Sequence, residues 1–157
     1  MKNLRTPVLC TCLMLFGLFS MAQVQKIPIN EPDYNKPKLF SNLPDKISFN
    51  PDGFLGLMNK QPGVAISASL SDKQQIPFEG TVVSSVTGNE GKMQSVVIKS
   101  TNYNGAIFSM SKVTNDDGSV TFNGRLISFK HGDAFVLQKT EGHYMLIKKN
   151  YYDLVNE

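Results

Sequence analysis

The placement of proline limits the fold of this chain more than any other feature. All eight prolines lie within the first 77 residues, and the residues after Pro77 contain none. Proline has no backbone N–H to donate to a sheet ladder, so a long proline-free segment is free to form continuous hydrogen-bonded sheet. The second half of the chain is therefore where an extended sheet is expected.

Strand periodicity begins at Val64, where apolar residues start to alternate with small or polar ones, as in a half-buried strand. Glycine combined with Asn, Asp or Glu lies between the segments, and such residues accept the positive φ of tight turns. The connections are too short for the crossovers of parallel strands. The sequence therefore predicts an all-β, antiparallel up-and-down meander of seven to eight strands, forming a barrel or a strongly curled sheet. The predicted strands are 64–70, 78–86, 93–101, 106–113, 119–130, 133–140 and 143–150.

One short helix is predicted near residues 53–60. Pro51 and Asp52 precede it, the segment carries apolar residues at helical spacing, and Pro62-Gly63 ends it. A helix of this length commonly covers the open end of a barrel or the edge of a sheet.

The first 22 residues have the pattern of a secretory signal peptide. Lys2 and Arg5 precede an apolar run at 8–19, and small residues lie before a cleavage point predicted after Ala22. The apolar run is too short to span a membrane as a helix. We therefore expect export, to the periplasm or the extracellular space.

Cleavage after Ala22 changes the composition of the chain. Both cysteines, Cys10 and Cys12, leave with the signal peptide, so no disulfide or thiol chemistry is expected. Loss of Lys2 and Arg5 lowers the net charge from +3 to +1. A nearly neutral product gives no support to nucleic-acid binding.

Two regions are predicted in the remaining chain. Residues 23–45 are polar, rich in proline and without periodicity, so we interpret them as an extended leader that docks through Leu39, Phe40 and Leu43. Residues 46–157 are interpreted as a single β domain. No transmembrane span is expected in the mature chain.

The segment 131–150 contains both histidines and several charged residues, which raises the question of a catalytic or metal-binding cluster. A two-residue turn at Glu141-Gly142 accounts for the same segment as a hairpin. Its register pairs apolar residues on both faces of the sheet: Leu137 with Leu146, and Val136 with Ile147.

The preceding turn is predicted at His131-Gly132. This register pairs Ile127 with Val136, Leu126 with Leu137, and Arg125 with Gln138. His131 and His143 then lie at turns at opposite ends of one strand, so we expect no joint ligand between them.

Motifs for catalysis and metal binding are missing. The sequence has no cysteine outside the signal peptide, no G-x-S-x-G elbow and no phosphate-binding glycine loop, so we assign no catalytic residue, metal or cofactor. Asp116-Asp117-Gly118 is interpreted as an ordinary turn and not as a calcium loop. The serines fall mostly at alternating strand positions, where each hydroxyl is expected to face water.

Candidate ligand-binding residues come from the aromatic content and from one cation. Aromatic side chains often line the mouth of a ligand-holding barrel. Arg125 is the only arginine after residue 22, and a guanidinium in the middle of a strand suits a carboxylate partner or an anionic ligand. The predicted ligand-binding set is Arg125, Phe108, Phe122, Phe135 and Tyr144.

These observations favour an exported, non-enzymatic binding or interaction domain. It would hold a small apolar ligand in a barrel, or contact a secreted or cell-surface protein. The outline is similar, in architecture alone, to small calycin-type binders and to compact protease-inhibitor or propeptide domains. The alternatives are a secreted hydrolase that uses acidic residues and an inhibitor-like or propeptide-like module.

Overall fold

A computed structural model describes residues 33–154 of the chain, which belong to one compact unit. The predicted signal peptide and residues 23–32 of the predicted leader lie outside the described residues. The elements are β1 (Lys46–Ser48), α1 (Asp52–Leu55), β2 (Ala65–Ser69), β3 (Pro77–Gly88), β4 (Met93–Ser100), β5 (Ile107–Thr114), β6 (Val120–Ile127), β7 (Asp133–Thr140) and β8 (His143–Asn150). Short 3-10 turns lie at Asn89–Gly91 and Tyr151–Leu154.

The eight strands form one antiparallel sheet in the order β1-β8-β7-β6-β5-β4-β3-β2. The sheet is a strongly curled half-barrel, which confirms the predicted all-β meander. Strand β1 was not among the predicted strands, since three residues are too few to show a period. It joins the sheet beside β8, where Ile47 lies opposite Leu146.

The β7–β8 hairpin has the predicted register. Leu137 lies opposite Leu146, and Val136 lies opposite Ile147. The turn residues Glu141 and Gly142 both have positive φ, at 51° and 83°. Because Glu141 and Gly142 adopt the left-handed conformation that a two-residue hairpin turn requires, the strands continue in register on both sides.

The register predicted between β6 and β7 is wrong by two residues. Arg125 lies opposite Val136, and Leu126 lies opposite Phe135. The connection is longer than the predicted two-residue turn at His131-Gly132. His131 N donates to Ser128 O at 3.1 Å, which closes a turn over residues 128–131 before the chain reaches Gly132. A shift of two residues preserves the face on which every side chain lies, so the division into inner and outer residues is unchanged.

The core fills the concave side of the sheet. Phe108 is fully buried, and its ring centroid lies 5.2 Å from that of Phe54 and 5.5 Å from that of Phe78. Phe54 belongs to α1 and also packs on Phe49, with the ring centroids 4.9 Å apart. The short helix therefore covers the open side of the half-barrel. None of the helices described in residues 33–154 is both long and apolar enough to cross a membrane.

Residues 33–45, called the strap below, pack on the sheet. Phe40 is fully buried, and Leu39 and Leu43 pack against the core, which confirms the docking predicted for these three residues. Asp133 is 1% exposed and accepts hydrogen bonds from the backbone N–H groups of Leu39 (2.7 Å) and Phe40 (2.8 Å). The start of β7 therefore holds the strap through one carboxylate.

Candidate functional site

The residues predicted to bind a ligand lie on opposite sides of the sheet, with the four aromatic residues in or against the core and Arg125 on the other face. Phe108 and Phe135 are fully buried on the concave side of the sheet, where they belong to the core. Phe122 and Tyr144 are half-buried near the Glu141-Gly142 end of the sheet. Arg125 is exposed on the convex face, because its neighbours Gly124 and Leu126 occupy the inner positions of β6. The structure therefore does not bring the five residues together.

Phe122 and Tyr144 form a structural contact between two strands that are not neighbours. β6 pairs with β7 only over Arg125–Ile127, so the N–H of Phe122 has no ladder partner there. The hydroxyl of Tyr144 in β8 accepts this N–H at 3.1 Å, and the two rings meet edge to face at 5.5 Å. Since the Tyr144 hydroxyl satisfies this backbone N–H, we assign the pair to stability.

Arg125 lies in an open groove of about 400 Å³ on the convex face. The groove crosses β4, β5 and β6, and the strand registers arrange its outward side chains in two rows of three. The first row, Ser95–Ser111–Asn123, and the second row, Val97–Ser109–Arg125, lie side by side, and we call these six residues the convex groove.

Small residues and one turn give the convex groove its shape. The outward positions at its centre carry Ser109 and Ser111, whose side chains are short. Val136 continues the second row into β7. Leu154, in the C-terminal 3-10 turn, also lines the groove. The floor is therefore low along the middle and bounded by apolar side chains near Arg125.

Among residues 33–154, the lining of the convex groove has one cation and no acidic residue. Among residues 33–154 the salt bridges are Lys92–Asp116 and Lys148–Asp45, and neither includes Arg125. The guanidinium projects from the sheet between Ser109 and Val136, which are too short to cover it. An arginine in this setting presents a planar fork of donors that matches a carboxylate or another planar anion.

The sequence did not predict that Ser95, Ser109 and Ser111 would lie together in one groove, although part of the signal was present. Alternation along each strand predicts a separate, water-facing hydroxyl for Ser95, Ser109 and Ser111. The two-residue spacing of Ser109 and Ser111 already placed them on one face of β5. What joined them to Ser95 and Asn123 was the register between strands, which the sequence did not establish for β4, β5 and β6.

The histidines lie apart, as predicted. His143 pairs with Thr140 at one end of β7, whereas His131 precedes Asp133 at the other end. The length of β7 separates them by about 23 Å at 3.3 Å per residue. His131 Nδ1 lies 2.8 Å from Ser128 Oγ within its own turn. In the described part of the chain, His, Cys, Asp and Glu form no group of three suited to a metal ion.

In the part of the chain that the structure describes, shifted pKa values occur at Asp117 and Tyr103, which lie outside the convex groove. Hydrogen bonds from the hydroxyl and the backbone N–H of Ser119 lower the pKa of Asp117. These bonds close the exposed turn between β5 and β6, in agreement with its interpretation as an ordinary turn. Burial raises the pKa of the Tyr103 hydroxyl, which lies beside Phe40 at a ring distance of 5.6 Å.

Comparison with protein-family models, with curated proteins and with solved structures found no match for this chain.

Proposed function

We propose that the protein is an exported, non-enzymatic binding domain that holds an anionic ligand in the convex groove. The observation that carries this proposal is the exposed guanidinium of Arg125 in a groove of about 400 Å³, to which the described part of the chain contributes no acidic residue. Ligand pockets typically measure 300–1,000 Å³ and contain a few converging polar groups among apolar ones. The convex groove has both the size and this mixture of groups.

Surface binding has more support than an apolar ligand inside the barrel. The aromatic residues of the concave side pack on one another, as in the contacts of Phe108 with Phe49, Phe54 and Phe78. Phe40 from the strap occupies the same interior and meets Phe135 edge to face at 5.4 Å. An apolar ligand would have to displace these side chains, whereas an anion reaches Arg125 from solvent.

A hydrolase that uses acidic residues has less support. Both oxygens of the buried Asp133 carboxylate accept hydrogen bonds from backbone N–H groups of the strap. Asp52 and Asp72 line one surface pocket with His143, but both carboxylates are exposed. Catalytic carboxylates generally differ from each other in their environment, one being held protonated by burial.

Titration of the purified chain from residue 23 to 157 with small carboxylates and phosphates tests the anion site. Isotope-labelled protein would report binding through the side-chain Nε–H signal of Arg125 and the backbone signals of Ser109 and Asn123. We expect Arg125→Gln to abolish binding. Arg125→Lys should weaken binding by about ten-fold, since lysine keeps the charge but loses the two-pronged hydrogen bond.

Lys99→Gln is the matched control. Lys99 is an exposed cation on the same face of β4, opposite Ile107 and outside the convex groove. If Lys99→Gln weakens binding as much as Arg125→Gln does, the ligand responds to the charge of the whole face, and the proposed site is wrong. Equal binding by the wild type and Arg125→Gln would also contradict the proposal.

Export is the second part of the proposal, supported by the pattern of residues 1–22. Expression of the full chain in a secreting bacterial host should give a processed product that begins at Gln23. Mass measurement of the product and sequencing of its N-terminus would check the cleavage point. A product that retains residues 1–22 would contradict the signal-peptide prediction.

A protein contact is the second candidate function, favoured by an aromatic cluster whose two outer members are exposed. Phe129 is 59% exposed and Tyr34 is 70% exposed. The rings of Tyr151 and Tyr152 lie between them, with neighbouring centroids 6.1, 5.6 and 4.9 Å apart along the series. Exposed aromatic residues of this kind are enriched at the centres of protein interfaces.

Site-specific crosslinking tests this candidate. A photoreactive amino acid in place of Phe129 should capture a secreted or cell-surface protein in the native host. The same amino acid in place of Val120, which is 38% exposed at the other end of β6, is the control. Equal capture at both positions would argue against a specific contact at the aromatic cluster.

A further inference from the structure

The convex groove combines its cation with hydroxyl and amide groups in an order that points to one class of anion. We propose that its ligand is a carboxylated sugar of the uronate type, with the carboxylate on Arg125 and the ring hydroxyls on the serines and Asn123. This inference rests on the proposed function of the same site. It adds the chemical class of the ligand.

The arrangement of polar groups matches a polyol. Ser109 lies opposite Arg125, and Ser111 lies opposite Asn123 in the next row. Rows are about 6.6 Å apart and neighbouring strands about 4.8 Å apart, so the central four side chains occupy an area close to that of one sugar ring. Serine hydroxyls and the asparagine amide both donate and accept hydrogen bonds, as the neighbouring hydroxyls of a sugar require.

The apolar lining residues explain why a sugar ligand of the convex groove should carry a charge. Val97, Val136 and Leu154 can contact the C–H groups of a sugar ring, but no aromatic side chain from residues 33–154 lines the groove. Without an aromatic surface for stacking, a neutral sugar would depend on solvent-exposed hydrogen bonds, which contribute little net free energy. A carboxylate adds a two-pronged, charge-assisted bond to arginine, which is the stronger interaction.

A peptide ligand is less well matched to this surface. The convex groove lies on the face of the sheet, where the backbone groups of β4, β5 and β6 already bond to one another. A bound peptide would find no main-chain partners of the kind that a sheet edge offers. The groups available to a ligand are side-chain hydroxyls, one amide and one guanidinium, and these suit a polyhydroxylated acid.

The experiment compares matched sugars on the purified chain from residue 23 to 157. Trigalacturonate is the ligand to be tested. Its fully methylated ester keeps every hydroxyl but removes the charge. Glutarate carries carboxylates but has no hydroxyls. We expect trigalacturonate to bind at least ten-fold more tightly than the other two in calorimetric titration. Its binding should shift the NMR signals of Ser109, Ser111, Asn123 and Arg125.

The double variant Ser109→Ala/Ser111→Ala separates this inference from the proposed function. The double variant should bind trigalacturonate several-fold more weakly and glutarate with unchanged affinity. Circular dichroism should show an unaltered fold. Ser84→Ala, in a serine of the same face that does not line the groove, is the control and should change neither affinity. Comparison with monogalacturonate shows whether the ligand is a single sugar acid or part of a polymer. Tighter binding of the trimer would indicate contacts beyond one ring.

Two results would overturn the inference in different ways. If glutarate binds as tightly as trigalacturonate and the double serine variant binds both normally, the sugar class is wrong and the anion site stands. If none of the carboxylates binds in a manner that depends on Arg125, the proposed function and this inference both fail.

Discussion

The carboxylate of Asp133 holds the backbone of Phe40, although 93 residues separate them in the chain. One oxygen accepts the N–H of Phe40 and the other accepts the N–H of Leu39, at 2.8 and 2.7 Å. The ring of Phe40 then enters the core beside Phe135. One buried carboxylate therefore anchors the strap at the point where Phe40 enters the core.

Replacing Asp133 should destabilise the protein more than an ordinary surface substitution does. Asp133→Ala leaves the N–H groups of Leu39 and Phe40 without their acceptor, so we expect a loss of about 3 kcal/mol in the free energy of unfolding. Urea unfolding followed by circular dichroism would measure it. Asp153→Ala, which removes an exposed carboxylate at the same end of the sheet, should cost under about 0.5 kcal/mol. Similar values for the two variants would contradict the role assigned to Asp133.

The β7–β8 hairpin provides a second test of stability. Leu146 is fully buried opposite Leu137, so Leu146→Asp places an unpaired charge in the core. We expect a loss of about 3 kcal/mol or more in the free energy of unfolding, measured in urea. Gln138→Asp, at an exposed position of β7, is the matched control and should be nearly neutral. A mild effect of Leu146→Asp would mean that this face of the hairpin does not line the core.

The two histidines should differ from each other when replaced. His143→Gln, at an exposed position, should leave stability within about 0.5 kcal/mol of the wild type. His131→Gln loses the contact with Ser128 Oγ and should cost about 1 kcal/mol. The double variant should show the sum of the two effects in thermal unfolding, because distant sites act independently. A clear departure from additivity would indicate that the histidines are coupled after all.

Gly132 is required for the approach of the strap. A Cβ added there would lie 2.9 Å from the backbone oxygen of Lys36, and Gly132 N also donates to Pro37 O at 3.0 Å. Gly132→Ala should therefore cost about 1–3 kcal/mol through overpacking and increase proteolysis of the strap. Gly53→Ala, which meets nothing within 4 Å in α1, should be neutral or slightly stabilising. The reverse order of stabilities would disprove the close contact.

Alkaline pH should destabilise the fold through Tyr103. Burial raises the pKa of this phenol in the folded state above the ordinary value of 10.0. The contribution of Tyr103 to the free energy of unfolding is constant below pH 10. It is lost as the pH rises above 10, because the phenol ionises in the unfolded state before it ionises in the folded state. Tyr103→Phe should therefore lose less stability than the wild type between pH 9 and about pH 11 in urea unfolding. Parallel pH curves for the two proteins would contradict the raised pKa.

Local patterns in the chain were enough to predict most of the strands and much of their pairing order. Alternation of apolar residues between short turns predicted seven of the eight strands, since both signals are local properties of the chain. The Glu141-Gly142 turn predicted the β7–β8 register for the same reason. Where the turn was longer than expected, between Ser128 and Gly132, the predicted register was wrong by two residues and the inner and outer faces were still right.

The tertiary structure alone decided three features that depend on residues distant in the chain. The first is the pairing of β1 with β8, and the second is the pair of hydrogen bonds that backbone N–H groups of the strap donate to Asp133. In the third, the curl of the sheet and the registers of β4, β5 and β6 gather separate serines and Arg125 into one groove. Periodicity shows on which face a residue lies but not which distant residue lies beside it. That choice is made by the packing of the whole core and by the satisfaction of buried backbone groups.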